Sequence, residues 1–122
     1  MSVLAVDFGT SNTAAAVMAG PKPHVIPLEN GQDTLPTAIF LDYNARRTLV
    51  GHAAVRSLID GREGRFMRAL KSVLGTALMH EKRQFLNERL TLIDIVGRFL
   101  AEVKSQSEAH CGTTFDRALS GR

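Results

Sequence analysis

One carboxylate and a run of small polar residues stand together near the start of the sequence: Asp7, then Gly9-Thr10-Ser11-Asn12. That set suits the phosphate tail of a nucleotide. Gly9 has no side chain to hold an anion away from the backbone. The N–H groups of Thr10, Ser11 and Asn12 can line an anion-binding concavity, and the Thr10 and Ser11 hydroxyls add donors. Asp7 can hold a hydrated Mg²⁺, a cation that binds through few carboxylates and keeps several waters. The same turn chemistry also serves as plain scaffolding, and a lone Asp-x-Gly-Thr is short enough to arise by chance.

The elements that must position these residues follow from the pattern around them. Val3 to Phe8 is an apolar run that reads as a strand buried on both faces, and Thr13 to Met18 is a second run. Joined by the turn, they predict a hairpin at the centre of a mixed sheet. Gly20-Pro21-Lys22-Pro23 is a stiff turn into a third short strand, His24 to Leu28, with Pro27 near an edge. After the loop Glu29 to Asp33, Ala38 to Leu41 reads as another strand, and Asn44 to Arg47 turns the chain back into Thr48-Leu49-Val50.

Helical periodicity begins at Gly51. Ala54, Val55, Leu58 and Ile59 fall on one face, and Gly61 is a natural stop. Phe66 to Leu74 reads as a second helix closed by Gly75, and Thr76 to Arg89 as irregular. Thr91 and Asp94 have the spacing of a capping box. They open the clearest helix, with Leu92, Val96, Phe99, Leu100 and Val103 as its apolar stripe and Gly112 past its end. This stripe should pack on the opening hairpin. Phe115 to Leu119 begins a further strand.

Composition sets the bounds. The chain has 122 residues, 44% hydrophobic and 22% charged, which is the profile of one globular domain and excludes a disordered chain. No apolar run approaches the roughly 20 residues that cross a bilayer, and no basic leader is visible, so neither membrane nor secretion is expected. A single cysteine, Cys111, excludes an internal disulfide and suits the cytoplasm. His24, His52 and His80 are scattered, and His110-Cys111 lacks further ligands at a useful spacing for a metal. The net charge of +3 is uneven, with 11 Lys and Arg against 5 Asp and Glu between Arg46 and Arg98. This basic middle faces an anionic ligand or simply solvent. One Tyr and no Trp offer no platform for stacked bases, so nucleic acid is not an expected partner.

Four segments carry a family resemblance. Val6-Asp7-Phe8-Gly9-Thr10-Ser11-Asn12 resembles the first phosphate loop of the actin-like ATPase superfamily, and its Thr-Ser-Asn ending is most similar to the DnaK-type, seventy-kilodalton heat-shock chaperones. Thr34-Leu35-Pro36-Thr37 is similar to that family's Thr-x-Pro-Ser at the base of the cleft, and Val50-Gly51-x-Ala53-Ala54 to its Val-Gly-x-Ala-Ala. Ala69-Leu70-Lys71-Ser72-Val73-Leu74-Gly75 resembles the segment Ala-Ile-Lys-Arg-Leu-Ile-Gly, which carries a lysine associated with ATP hydrolysis. The resemblance runs from Val3 to about Leu119. It implies Lys71 and Asp7 as catalytic residues, with Asp7 reaching Mg²⁺ through water. It also implies Gly9, Thr10, Ser11 and Asn12 as contacts to ATP or ADP. Ser72 departs from the family's arginine.

The implied class is α/β, a ribonuclease-H-like mixed sheet with flanking helices, of which only an incomplete first lobe is present. Residues 1–36 and 90–122 would form the lobe's core, and 37–89 a small inserted subdomain carrying Lys71. The implied function is that of the N-terminal part of a chaperone-like ATP-binding protein, similar to short members without a peptide-binding domain. Nucleotide is the expected ligand, client or co-chaperone proteins are further partners, and this piece alone should be inactive and self-associating. Two alternatives stand beside it: a non-catalytic protein-interaction module on the same fold, and a sugar-kinase-like phosphotransferase, against which Lys71 in its context argues.

Overall fold

Two apolar runs joined by a tight turn dictate an antiparallel pair, and the computed structural model, which describes residues 3–19, 21–85 and 88–121, begins with it. In chain order the strands and helices are β1 (Val3–Phe8), β2 (Asn12–Ala19), β3 (Lys22–Val25), β4 (Leu35–Pro36), β5 (Ala38–Asp42), β6 (Arg47–Val50) and α1 (Gly51–Ile59). There follow β7 (Gly64–Arg68), β8 (Lys82–Phe85), β9 (Glu88–Thr91), α2 (Leu92–Cys111) and β10 (Arg117–Gly121). The main sheet has the order β10-β1-β2-β3, with β4 also on β2. It is mixed, because β10 runs parallel to β1 while β1, β2, β3 and β4 pair antiparallel. A second, antiparallel sheet has the order β6-β5-β7, and β8 pairs with β9.

The core lies between the main sheet and α2. Thr91 Oγ1 accepts the Asp94 amide at 3.1 Å, and the Asp94 carboxylate accepts the Thr91 amide at 2.9 Å, so the capping box is complete. It satisfies two donors that a helix start otherwise leaves unpaired. Leu92, Ile95, Val96, Phe99 and Val103 are buried on one side of α2. They share a cluster with Leu4, Val6 and Phe8, and the Phe8 and Phe99 rings lie 5.7 Å apart. Burial of each such side chain contributes roughly 1.5–3 kcal/mol. The far end of α2 stops at Gly112, whose φ of 67° is the left-handed cap. Glu108 then accepts the Phe115 amide at 2.9 Å, which anchors buried Phe115 ahead of β10.

Several expectations are corrected. β1 is not buried on both faces: Leu4, Val6 and Phe8 point inward while Asp7 is exposed, because α2 covers one side only. The third strand is shifted to Lys22–Val25 and fully exposed, as befits an edge that carries Pro23. Gly20 of the expected turn lies outside the described residues. The helix expected over Phe66–Leu74 is instead β7 followed by a 3₁₀ turn, Leu70–Val73. Pairing with β5, Phe40 opposite Phe66 and Ile39 opposite Met67, overrides local helix preference. Gly64 permits that pairing, since a Cβ there would meet the Phe40 ring at 2.6 Å. The described residues of 76–89 are more ordered than expected, with a 3₁₀ turn at Ala77–His80 and β8 paired antiparallel with β9. In α1 only Ala54 of the expected stripe is fully buried, while Leu58 is 49% and Ile59 76% exposed.

Candidate nucleotide-phosphate site

The tip of the opening hairpin is a tight, braced turn. The Gly9 amide donates to the Asn12 carbonyl at 3.0 Å. A Cβ on Gly9 would press into that same carbonyl oxygen, so glycine is needed for the turn itself before any ligand is considered. Thr10, Ser11 and Asn12 are exposed. Among the described residues, the amides and hydroxyls of Thr10 and Ser11 meet no hydrogen-bond partner, which leaves four donors uncommitted on exposed residues. Asp7 is exposed on β1, opposite Ala14 of β2 and Gly121 of β10.

The segment Thr34–Thr37 fixes this tip from beside it. Asn12 and Thr13 pair with Pro36 and Leu35, and the Thr37 amide donates to the Ser11 carbonyl at 2.9 Å. Beneath them the hydroxyls of Thr13 and Thr37 bond to one another at 2.7 Å, both buried. Two segments similar to separate family motifs are therefore joined by direct bonds.

A hollow of about 350 Å³ opens at the tip. It is lined by Thr10 and Ser11 of the turn, by Pro36, Thr37 and Ala38, by the apolar Val55, Leu58 and Phe66, and by Arg68 and Ala69. Asp7, Gly9, Asn12 and Lys71 are not among the lining residues. Lys71 is partly buried on the 3₁₀ turn that starts right after Ala69. That turn is pre-set: Ala69 has φ 56°, left-handed for a non-glycine residue, and its carbonyl accepts both the Ser72 amide at 3.0 Å and the Ser72 hydroxyl at 2.7 Å. Ser72 thus ties down the backbone that carries Lys71. Arg68 was missed by the sequence reading; its one signal was its place just ahead of the segment similar to the family's lysine motif.

Two carboxylates outside the hollow shape its surroundings, and both were missed. Glu29 accepts the amides of His52 and Ala53, the latter at 2.8 Å, and so caps α1 from 23 residues away. An anion at a helix N-terminus satisfies free N–H groups and the helix dipole together. Gly51, at φ 65°, makes room, since a Cβ would meet Glu29 Oε1 and lie 2.7 Å from Leu35 Cδ1. Asp42 is buried at the end of β5, and its Oδ1 accepts the Asn44 and Ala45 amides at 3.0 and 2.9 Å. Arg62 lies 2.7 Å from Oδ2 in an ion pair. The Ala45 amide, then the Arg62 charge and the Asn44 amide, hold the Asp42 carboxyl below its ordinary range. The Asx-turn signature Asp42-Tyr43-Asn44 was the sequence signal for this role.

The family model described as Hsp70 protein matches residues 3–117. The chaperone protein DnaK of Ureaplasma urealyticum serovar 10 (strain ATCC 33699 / Western) is 31% identical over 117 residues, covering 96% of this chain and 18% of that protein. The chaperone protein DnaK of Ureaplasma parvum serovar 3 (strain ATCC 27815 / 27 / NCTC 11736) is 30% identical over the same length, with the same coverage. The chain therefore spans less than a fifth of the length of these curated relatives. Neither the sugar-kinase-like reading nor the pure interaction module is favoured by such relatives. With a family match over residues 3–117, this chain belongs to the Hsp70 family.

Proposed function

We propose that the chain supplies the first phosphate-binding wall of a chaperone-type ATPase with a ribonuclease-H-like nucleotide-binding domain. Residues 1–36 and 90–122 are assigned to the core of the first lobe and 37–89 to an inserted subdomain. The separation of β1–β4 and β10 from β5–β7 into two sheets supports that division. The observation that carries the functional reading is the hollow at the hairpin tip, which Thr10 and Ser11 line together with Arg68 and Ala69.

Thr10 and Ser11 suit the phosphates of a nucleotide at the hollow, with Asp7, Asn12 and Lys71 beside it rather than in its lining. Thr10 and Ser11 donate to phosphate oxygens, Asn12 adds an amide, and Gly9 keeps the turn narrow enough to aim them. Asp7 holds metal-bound water, and Mg²⁺ supplies neutralisation of phosphate charge when bound. Lys71 carries a compact positive charge suited to orienting a lytic water or a phosphoryl oxygen. Val55, Leu58 and Phe66 give the hollow an apolar side. Client and co-chaperone contacts belong to the complete protein.

Phosphoryl transfer depends on surrounding the transferred group, and one hairpin makes one wall. By itself the 122-residue chain should bind Mg-ATP weakly and not hydrolyse it. It should also self-associate, since β3 and β10 are the edges of its main sheet and Leu119 on β10 is 65% exposed. Calorimetric titration with Mg-ATP and light scattering test both statements, and submicromolar affinity in a stable monomer would overturn them. In a longer, hydrolysing form of the protein, Asp7→Asn or Lys71→Ala should slow single-turnover hydrolysis by about 10²–10³. Unchanged rates in both would refute the assignment of these two residues.

A further inference from the structure

A second hollow, of about 180 Å³, lies at the other end of β5 from the phosphate site. Its inner wall is apolar: Leu41 and Phe85 line it and are otherwise buried. Its rim is basic, with Arg46 from the β5–β6 turn, Arg47 at the start of β6 and Arg98 from α2. The acids that also line it are already engaged. Asp42 has Arg62 and two amides, and Glu88 has Arg98 at 2.7 Å. Among the described residues, the guanidinium groups of Arg46 and Arg47 have no ion-pair or hydrogen-bond partner. Two uncommitted positive charges therefore stand over a small greasy hollow.

The turn bearing them is held in advance. Asp42 Oδ1 takes its Asn44 and Ala45 amides, and Arg46 itself is left-handed at φ 55°. A braced rim lowers the entropy lost when a ligand arrives. The volume is below the roughly 300–1,000 Å³ of small-molecule pockets and suits one side chain of a partner. A nucleic acid is disfavoured, because phosphates gain nothing from Leu41. The Phe85 ring is no open stacking platform either, since it is buried and already carries the Arg65 guanidinium at 5.7 Å.

We propose that this hollow docks an acidic peptide segment of a partner protein, with one apolar side chain entering against Leu41 and Phe85 and flanking carboxylates pairing with Arg46 and Arg47. Buried apolar anchors with charged rims are the usual division of labour at interfaces, the anchor giving affinity and the rim rate and specificity. The site shares no residue with the nucleotide hollow, so the proposal stands apart from the ATPase reading.

The test is fluorescence anisotropy with a labelled peptide of Asp and Glu around a single Leu. Comparison ligands are the same peptide with Leu replaced by Ser, and a single-stranded oligonucleotide of equal charge. The protein variants are Arg46→Glu with Arg47→Glu, and the milder Arg47→Ala, both at exposed positions and checked for fold by circular dichroism. The acidic Leu peptide should bind, and the double charge reversal should weaken it about tenfold or more, in a salt-sensitive way. The Ser peptide and the oligonucleotide should bind at least about tenfold more weakly than the Leu peptide. Absence of binding, equal binding of the Ser peptide or the oligonucleotide, or no loss in the charge-reversed protein would each overturn the proposal.

Discussion

The hydroxyls of Thr13 and Thr37 bond to each other at 2.7 Å in a place no water reaches, one on the strand that follows the Gly9–Asn12 turn and the other in the lining of the hollow at the hairpin tip. Each removes the other's need for solvent. Thr13→Val or Thr37→Val alone leaves a buried hydroxyl unmatched and should cost about 1–3 kcal/mol. The double replacement should cost less than the sum of the two. Urea denaturation of the four proteins, read as a double-mutant cycle, checks this, and simple additivity would show that the pair is not coupled.

Glu29 should matter more than its loop position suggests. Glu29→Ala removes the cap of α1 and should destabilise the chain by about 1 kcal/mol, with faster amide exchange at His52 and Ala53. A change confined to the 29–31 loop would refute the cap's importance.

Acid sensitivity should trace to Asp42. Its carboxyl titrates below the ordinary aspartate value of 3.8 in the folded chain, the Ala45 amide being the largest cause. A lowered folded pKa means that the unfolded chain takes up the proton first. The stabilisation is therefore complete above about pH 4 and is lost as pH falls through the lower folded value. Asp94 and Glu108, lowered chiefly by the Thr91 and Phe115 amides, act in the same direction. Asp42→Asn should flatten the acid limb of a stability–pH profile, and a limb of unchanged steepness would show that the pair is not responsible.

Gly9→Ala should be worse than alanine's size implies. The added carbon would press on the Asn12 carbonyl and open the turn that aims Thr10 and Ser11. In a longer, nucleotide-binding form of the protein, affinity should fall together with stability, whereas Thr10→Ala should lower affinity and leave the melting temperature within about 2–4 °C. Gly9→Ala at wild-type stability would mean that the turn absorbs the carbon.

How much of this was legible depended on the range of the contacts. The α2 helix was readable because its signals are local: Thr91 and Asp94 three apart, Gly112 as the stop, and an apolar stripe between. The opening hairpin and its outward Thr10 and Ser11 were readable for the same reason. β7 was not, because Phe66 and Met67 are strand residues only by virtue of Phe40 and Ile39 opposite them. Leu58 and Ile59 have helical spacing toward a face that the described residues leave largely open. The Thr13–Thr37 and Glu29–His52 bonds join residues 24 and 23 apart, and no periodicity announces such pairs.

The parallel pairing of β1 with β10 joins the first strand to one about 110 residues later, Val3 opposite Arg117. A chain leaving the ribosome at roughly 5–20 residues per second must wait about 5–20 seconds between making these two strands. Throughout that interval one side of β1 has no neighbour, and it offers amides and carbonyls to any extended segment nearby. The nascent chain is thus most exposed to mispairing at the strand that bears Asp7, and the arrival of β10 closes that window.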